Sequence, residues 1–509
     1  MRAPIPRHNC DSLLPELAYE TGNRYADRAG PDHRSGNGLY LTPPTVARSI
    51  ARRLLDGRRC PDILSILDPA AGSGVLGCAL VEALLQHPDR PRRIRLTCCE
   101  IDPALAEVLR STLGDLEARA GDAGCILDWE VLVGDFLLGP LAGGDRRFDL
   151  IIANPPYFKM AKDSPAAARH RDLVFGQPNA YGLFIGTCSR ILAAVGRMAF
   201  ITPRSFMSGR YFTRVRGALL AEGALTAIHE IASRTDTFGD DAVLQEAVIF
   251  VLEKCAAAPA GIRISRSYGI ADIDADDGHL VATEVCIAGP EQHIRLINGE
   301  DDLRLLAALD KLPSRLDTLG LRIATGPVVP FRMKEAVLAA PTGDRPAPLL
   351  WLPHVLPMRI NWDPSYRKGG WIDTSAAKPT ALVINQTLVL LRRFSPKEDD
   401  RRVVAAPYSP FRIDIRHVHI GIENHLNYIV GGMGFSDDVA RGLAAYLNSR
   451  AVDRYFRLAI GSTQIGAHEL RNLPIPDIDG LLRLDWQILR SDSLDEIDSV
   501  VNELLQLDG

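Results

Sequence analysis

Phe148-Asp149-Leu150-Ile151-Ile152-Ala153-Asn154-Pro155-Pro156-Tyr157 begins as an apolar run and stops at an amide, two prolines and an aromatic ring. The first half reads as a buried strand. In an open α/β sheet, ligands bind beyond the carboxyl ends of the strands, so the second half is where chemistry belongs. Each proline fixes its own φ and confines the residue before it to extended conformations. The Asn154 side chain and the Pro155 carbonyl are thereby held as adjacent acceptors, with the π-face of Tyr157 beside them. Two acceptors and a ring suit a planar ligand carrying an exocyclic amino group, such as a purine or pyrimidine base. The rival reading is a proline-stopped strand followed by an ordinary Asn-Pro turn.

Outward from this stretch, short β-rich runs at 63–67, 94–99, 129–133, 148–152, 198–201, 225–231 and 247–252 are mostly separated by helical patterns such as 75–85, 103–118 and 181–194. That rhythm predicts a mainly parallel, doubly wound α/β sheet of seven strands. The last two runs lack a helix between them and predict an antiparallel hairpin at the sheet edge. Asp68-Pro69-Ala70-Ala71-Gly72-Ser73-Gly74 follows the first strand, and glycines in such a turn let backbone approach a ligand closely. Glu100-Ile101-Asp102 ends the second, where an acid is the usual partner of a ribose diol. Gly134-Asp135-Phe136 ends the third and offers the carboxylate and apolar side chain of an adenine pocket. Taken singly, each acid reads better as a solvated strand end. Three in succession before Asn-Pro-Pro-Tyr read as a nucleoside site.

A chain of 509 residues predicts two to four domains, and 46% hydrophobic with 24% charged residues is ordinary for a globular protein. The net charge of −5 gives no general attraction for nucleic acid, so such a partner requires a local basic patch. Nine cysteines without CxxC spacing predict reduced intracellular thiols, with neither a disulfide framework nor a metal site. No run of 18 uncharged apolar residues occurs, which predicts a cytoplasmic protein with no membrane partner. Residues 1–36, rich in Pro, Arg and Gly, predict a flexible arm. The sheet occupies 37–255, a polar β-rich insert and connecting helix 256–320, and a separate α+β domain 321–509.

In order, DPAAGSG, Glu100, GDF and NPPY resemble the motifs of S-adenosylmethionine-dependent amino methyltransferases acting on DNA. Tyr40-Leu41-Thr42-Pro43-Pro44 resembles the cofactor motif that precedes them in the γ class, the TaqI-like adenine enzymes. Ile201-Thr202-Pro203-Arg204-Ser205-Phe206, Arg392-Arg393-Phe394-Ser395-Pro396-Lys397-Glu398 and Leu470-Arg471-Asn472-Leu473-Pro474 look like the BsuBI/PstI type of modification methylase. The resemblance spans residues 37–476 and implies a Rossmann-like methyltransferase sheet with a C-terminal DNA-recognition domain. It places Tyr40, Thr42, Pro43, Asp68, Ala70, Gly72, Gly74, Glu100, Ile101, Asp135 and Phe136 at S-adenosylmethionine. It implies that Asn154 and Pro155 accept both hydrogens of adenine N6, with Pro156 completing the motif, Tyr157 stacking on a flipped base and Phe238 covering its other face. Phe238 reads equally as a hydrophobic plug under its loop.

The expected partners are double-stranded DNA and, in the same restriction-modification system, a separate cognate endonuclease. Arg392, Arg393, Lys397, Arg401 and Arg402 form a dense basic segment suited to phosphates, and Arg322, Arg332 and Lys334 form another. Both read alternatively as solvated charged faces. Methylation of cytosine N4, RNA or a protein glutamine stays open beside adenine N6, as does an inactive DNA-binding module.

Overall fold

The computed structural model describes residues 13–30, 40–233, 247–254, 259–275, 278–342, 344–395, 399–413, 417–432, 435–459, 465–488 and 493–507. The chain divides into two compact units, 1–298 and 299–509. In the first unit, strands β1 (Ile63–Asp68), β2 (Arg93–Glu100), β3 (Ile126–Val133), β4 (Phe148–Ala153), β5 (Leu192–Pro203), β6 (Ala224–Ile231), β7 (Ala247–Glu253), β8 (Ile262–Ser267) and β9 (His279–Val281) form one sheet. Its order is β3-β2-β1-β4-β5-β7-β6-β8-β9. Strands β1 to β5 run parallel. The winding reverses between β1 and β4, where Leu67 sits opposite Ile151, so the crevice for a ligand opens beyond those two strand ends.

Two features of the sheet differ from the sequence expectation. Strands β6 and β7 do pair antiparallel, but β7 lies between β5 and β6, inside the sheet. Its residues Ala247 to Leu252 are buried on both faces, and a strand with no polar face needs cover on both sides. Among the described residues the sheet also has nine strands instead of seven. Residues 262–281, expected in a separate insert, add β8 parallel to β6 and then β9, with the alternating Ile262 and Ile264 buried.

Helices α2 (Pro44–Leu55), α3 (Val75–Leu85), α4 (Pro103–Asp122) and α5 (Ala180–Arg190) belong to the same unit. So does α1 (Leu14–Ala29), where the sequence suggested a flexible arm. Leu14, Ala18, Gly22 and Ala26 recur every fourth residue and are buried, and Leu14 and Ala18 join Val46, Ile50, Val81 and Leu84 in one apolar cluster. Small side chains on that stripe let the helix pack closely while leaving little hydrophobic signal in the sequence.

The second unit is mixed α+β. Arg322–Thr325, Leu426–Val430, Leu388–Arg392 and Ala405–Tyr408 form an antiparallel sheet in that order. Helices α6 (Asp437–Asn448), α7 (Ile478–Ile488) and α8 (Leu494–Leu505) follow. Among the described residues, no helix is long and apolar enough to cross a membrane.

Candidate active site

The ends of β1, β2 and β3 converge on one cleft in the first unit. After β1, the backbone enters α3 through Gly72 (φ +56°) and Gly74 (φ +96°), both in the region that favours glycine. A Cβ at Gly74 would lie 2.9 Å from Leu109 Cδ1, so this glycine also sets how closely α3 and α4 approach. The Glu100 carboxylate accepts the Gly72 N–H at 2.9 Å and the Asp102 N–H at 2.9 Å, tying the first loop to the second. At the end of β3, the ring of Phe136 packs against Phe184 with centroids 5.2 Å apart.

Of the residues singled out in the sequence, Tyr40, Thr42, Ala70, Gly72, Glu100, Ile101, Asp135, Phe136, Asn154 and Pro156 line this cleft. Pro43 caps α2 instead, and Pro155 is buried. Asp68 is fully buried; its Oδ1 accepts the Ala70 N–H at 3.3 Å, while Oδ2 has no hydrogen-bond partner among the described residues. Burial pushes its pKa up to about 7. Phe238 and Lys397 lie outside the described residues.

The Asn154 amide is oriented from the other side of the cleft. Its Nδ2 donates to the Tyr40 carbonyl and to Thr42 Oγ1, both at 3.0 Å. A backbone carbonyl can only accept, so Oδ1 is the atom turned away from Tyr40. The Tyr157 hydroxyl is within reach of two acceptors, Asn154 Oδ1 at 2.5 Å and the Ile201 carbonyl at 2.9 Å. Burial holds the Tyr157 pKa well above the ordinary phenol range, so the group remains a donor. The ring meets Tyr181 edge-on with centroids 5.9 Å apart. Beside it, Phe158 is 39% exposed and lines the cleft. Cys99 also lines it, but burial raises its pKa to about 12 and keeps the thiol protonated.

Sequence reasoning missed the contribution of α1. Tyr25 donates to Asp102 Oδ2, and Asp102 caps α4 by accepting the Ala104 N–H at 2.9 Å. A Cβ on Gly22 would lie 2.4 Å from Ser73 Oγ, so α1 rests directly on the glycine loop. The four-residue spacing of Leu14, Ala18, Gly22 and Ala26 was the available signal.

Of the basic segment expected to face DNA, Arg392, Arg393 and Arg401 donate to partners within the second unit, and Arg392 and Arg393 are half-buried. Arg401 and Arg402 are 6% and 1% exposed. The Arg401 guanidinium is bidentate on Asp498 of α8, with Nη1–Oδ1 at 2.8 Å and Nη2–Oδ2 at 2.7 Å. Arg392 donates from Nε to the Val355 carbonyl at 2.7 Å, and Arg393 donates to the Asn424 carbonyl at 3.2 Å. The run reads as a charged face only while its distant partners are unseen.

A reversal of winding between β1 and β4, a glycine loop entering α3 and acids at the ends of three successive strands define a class I S-adenosylmethionine-dependent methyltransferase. The cleft fits that cofactor: Glu100, which lines it, has lone pairs left for hydroxyls. The Eco57I restriction-modification methylase family matches residues 118–238. The chain is 31% identical to the type II methyltransferase M.BsuBI of Bacillus subtilis, over 93% of this chain and 95% of that one. It is 30% identical to the type II methyltransferase M.PstI of Providencia stuartii, over 87% and 88%. It therefore belongs to the BsuBI/PstI family of type II methyltransferases. Among solved structures, the type IIL restriction-modification enzyme MmeI in complex with DNA shares the fold, with a TM-score of 0.52, 13% identity and coverage of 98% of this chain and 74% of that one.

Proposed function

We propose that this enzyme works in the cytoplasm and methylates adenine N6 at a specific sequence in duplex DNA, while a separate cognate endonuclease cuts unmethylated sites. One observation carries the reading. The N–H side of the Asn154 amide is spent on Tyr40 and Thr42, so the amide offers a substrate only its acceptor oxygen. That oxygen suits an amino group with hydrogens to give, and the Pro155 carbonyl is the second acceptor that the family resemblance implies.

The N6 lone pair is delocalised into the purine and is a poor nucleophile. Accepting both hydrogens favours a pyramidal nitrogen whose lone pair points at the methyl donor, so positioning and electrostatics supply the catalysis. S-adenosylmethionine, when bound, supplies the methyl group on a cationic sulfonium. Glu100 would hold its ribose hydroxyls and Asp135 with Phe136 its adenine. The Tyr157 hydroxyl carries one proton for two acceptors, and donating to the Ile201 carbonyl frees Asn154 Oδ1 for the substrate. Flipping the base costs a few kcal/mol. Stacking on Tyr157, extended by Phe158, returns about 1–3 kcal/mol. The relatives named as type II methyltransferases, and MmeI in its complex with DNA, support the choice of DNA.

Tritiated cofactor should label duplex DNA at adenine N6. Asn154→Ala should abolish labelling while cofactor binding persists. Label on cytosine, or on protein and not DNA, overturns the reading.

A further inference from the structure

We infer that the second unit meets duplex DNA through an aromatic and basic cavity lined by Phe331, Lys334, Trp351, Tyr366, Lys368 and His425. The inference rests on the DNA reading proposed above and narrows its surface: Arg401 and Arg402 are buried, whereas Lys334, from the other basic segment, is exposed.

The cavity holds about 750 Å³. Its aromatic wall is rigid: Trp351 is buried and donates its indole N–H to the Gly369 carbonyl at 2.6 Å, and Tyr366 packs against it with centroids 5.5 Å apart. Lys368 places its ammonium 5.9 Å over the Trp351 ring. Lys334 and Lys368 are both exposed, and neither forms an ion pair among the described residues. Phe331 is 67% exposed, with the Arg332 guanidinium 5.3 Å from its ring centroid. Glu423 is the acid of the lining, and it is turned inward. Its side chain is 2% exposed and engages His425 Nδ1, and it also accepts the His425 backbone N–H at 3.1 Å. This contact orients the imidazole and leaves Nε2 as the ring atom Glu423 does not engage.

On a chain of net charge −5, two lysines without acidic partners beside an exposed ring make a local site for a polyanion with apolar edges. Duplex DNA satisfies both features: Lys334 and Lys368 meet phosphates, while Phe331 meets base edges or a thymine methyl. His425 and the neighbouring Asn424 carry donors and acceptors of the kind that read bases.

The test is binding of the full-length enzyme to sheared genomic duplex DNA across a range of salt. Losing two phosphate contacts in Lys334→Ala/Lys368→Ala should lower the log–log salt slope by about 1.8 and weaken binding roughly thirtyfold at 0.15 M salt. Cofactor affinity should be unchanged, because it belongs to the first unit. Lys334→Ala alone, at an exposed side chain outside the aromatic packing, should lose about 0.9 of slope, which covers the case in which the Lys368 change unfolds the unit. Unchanged slope and affinity in a folded variant overturn the cavity assignment, provided wild-type enzyme binds and methylates DNA. Failure of wild-type enzyme to do either overturns the DNA reading itself.

Discussion

Arg401→Ala distinguishes an arginine that holds the second unit together from one that faces DNA. The guanidinium is 6% exposed, makes two hydrogen bonds to Asp498 and reaches the carbonyls of Asn448 and Leu494. Removing one partner of a buried ion pair costs about 3–5 kcal/mol, because the other charge is stranded. Asp498 is not wholly abandoned: Arg450 still donates its backbone N–H at 2.7 Å and its Nε at 3.1 Å. The loss therefore falls at the low end, about 3 kcal/mol. For a unit of this size, each kcal/mol lowers the melting temperature by about 2–4 °C, giving a drop of roughly 6–12 °C in that unit's transition. Scanning calorimetry reads the drop, and duplex binding against salt reads any phosphate contact. A phosphate-binding arginine would behave in the opposite way, with an unchanged melting temperature and a salt slope reduced by about 0.9. That second pattern refutes the structural assignment.

Thr42→Val keeps the side-chain shape but removes one acceptor of the Asn154 amide, an interaction worth about 1 kcal/mol, so kcat should fall roughly fivefold. Thr42→Ser should restore it, and a Val variant as active as wild type would show that Thr42 does not position Asn154. The buried Asp68 carboxyl has a folded pKa of about 7 against 3.8 for the free group, so between those values the folded state holds a proton the unfolded state has lost. Its contribution must then fall as pH rises from about 4 to 7 and level off above, by up to about 4 kcal/mol. Urea unfolding of wild type and Asp68→Asn at pH 5 and pH 7.5 checks this: the difference between them should change with pH, and a constant difference contradicts it.

The lining of the cleft was legible because its parts sit at strand ends. An apolar run followed by an acid, a glycine turn or Asn-Pro-Pro-Tyr is a local pattern, and a parallel sheet brings successive carboxyl ends to one edge whatever lies between them. The contact that orients Asn154 was not local: Thr42 lies 112 positions away, and nothing in its motif separates a cofactor contact from a contact to Asn154. Helix α1 was hidden for a different reason. Its buried stripe is made of Ala18, Gly22 and Ala26 after Leu14, residues that pack closely but contribute little hydrophobicity to a window otherwise rich in polar side chains.

Charged segments behave differently from strand ends. A run such as Arg392 to Arg402 has no position imposed on it by topology, and each guanidinium goes wherever tertiary structure offers an acceptor. Arg401 finds Asp498, 97 positions later. Density of positive charge along the chain is therefore a poor guide to a nucleic-acid surface, because a structural arginine and a phosphate-binding one are the same residue in sequence. The distinguishing property is what surrounds the charge. Lys334 and Lys368 stand exposed beside Phe331 and Trp351, while the acid of their cavity is engaged by His425. Their charges are left to a partner from outside, whereas that of Arg401 is already answered from within the fold.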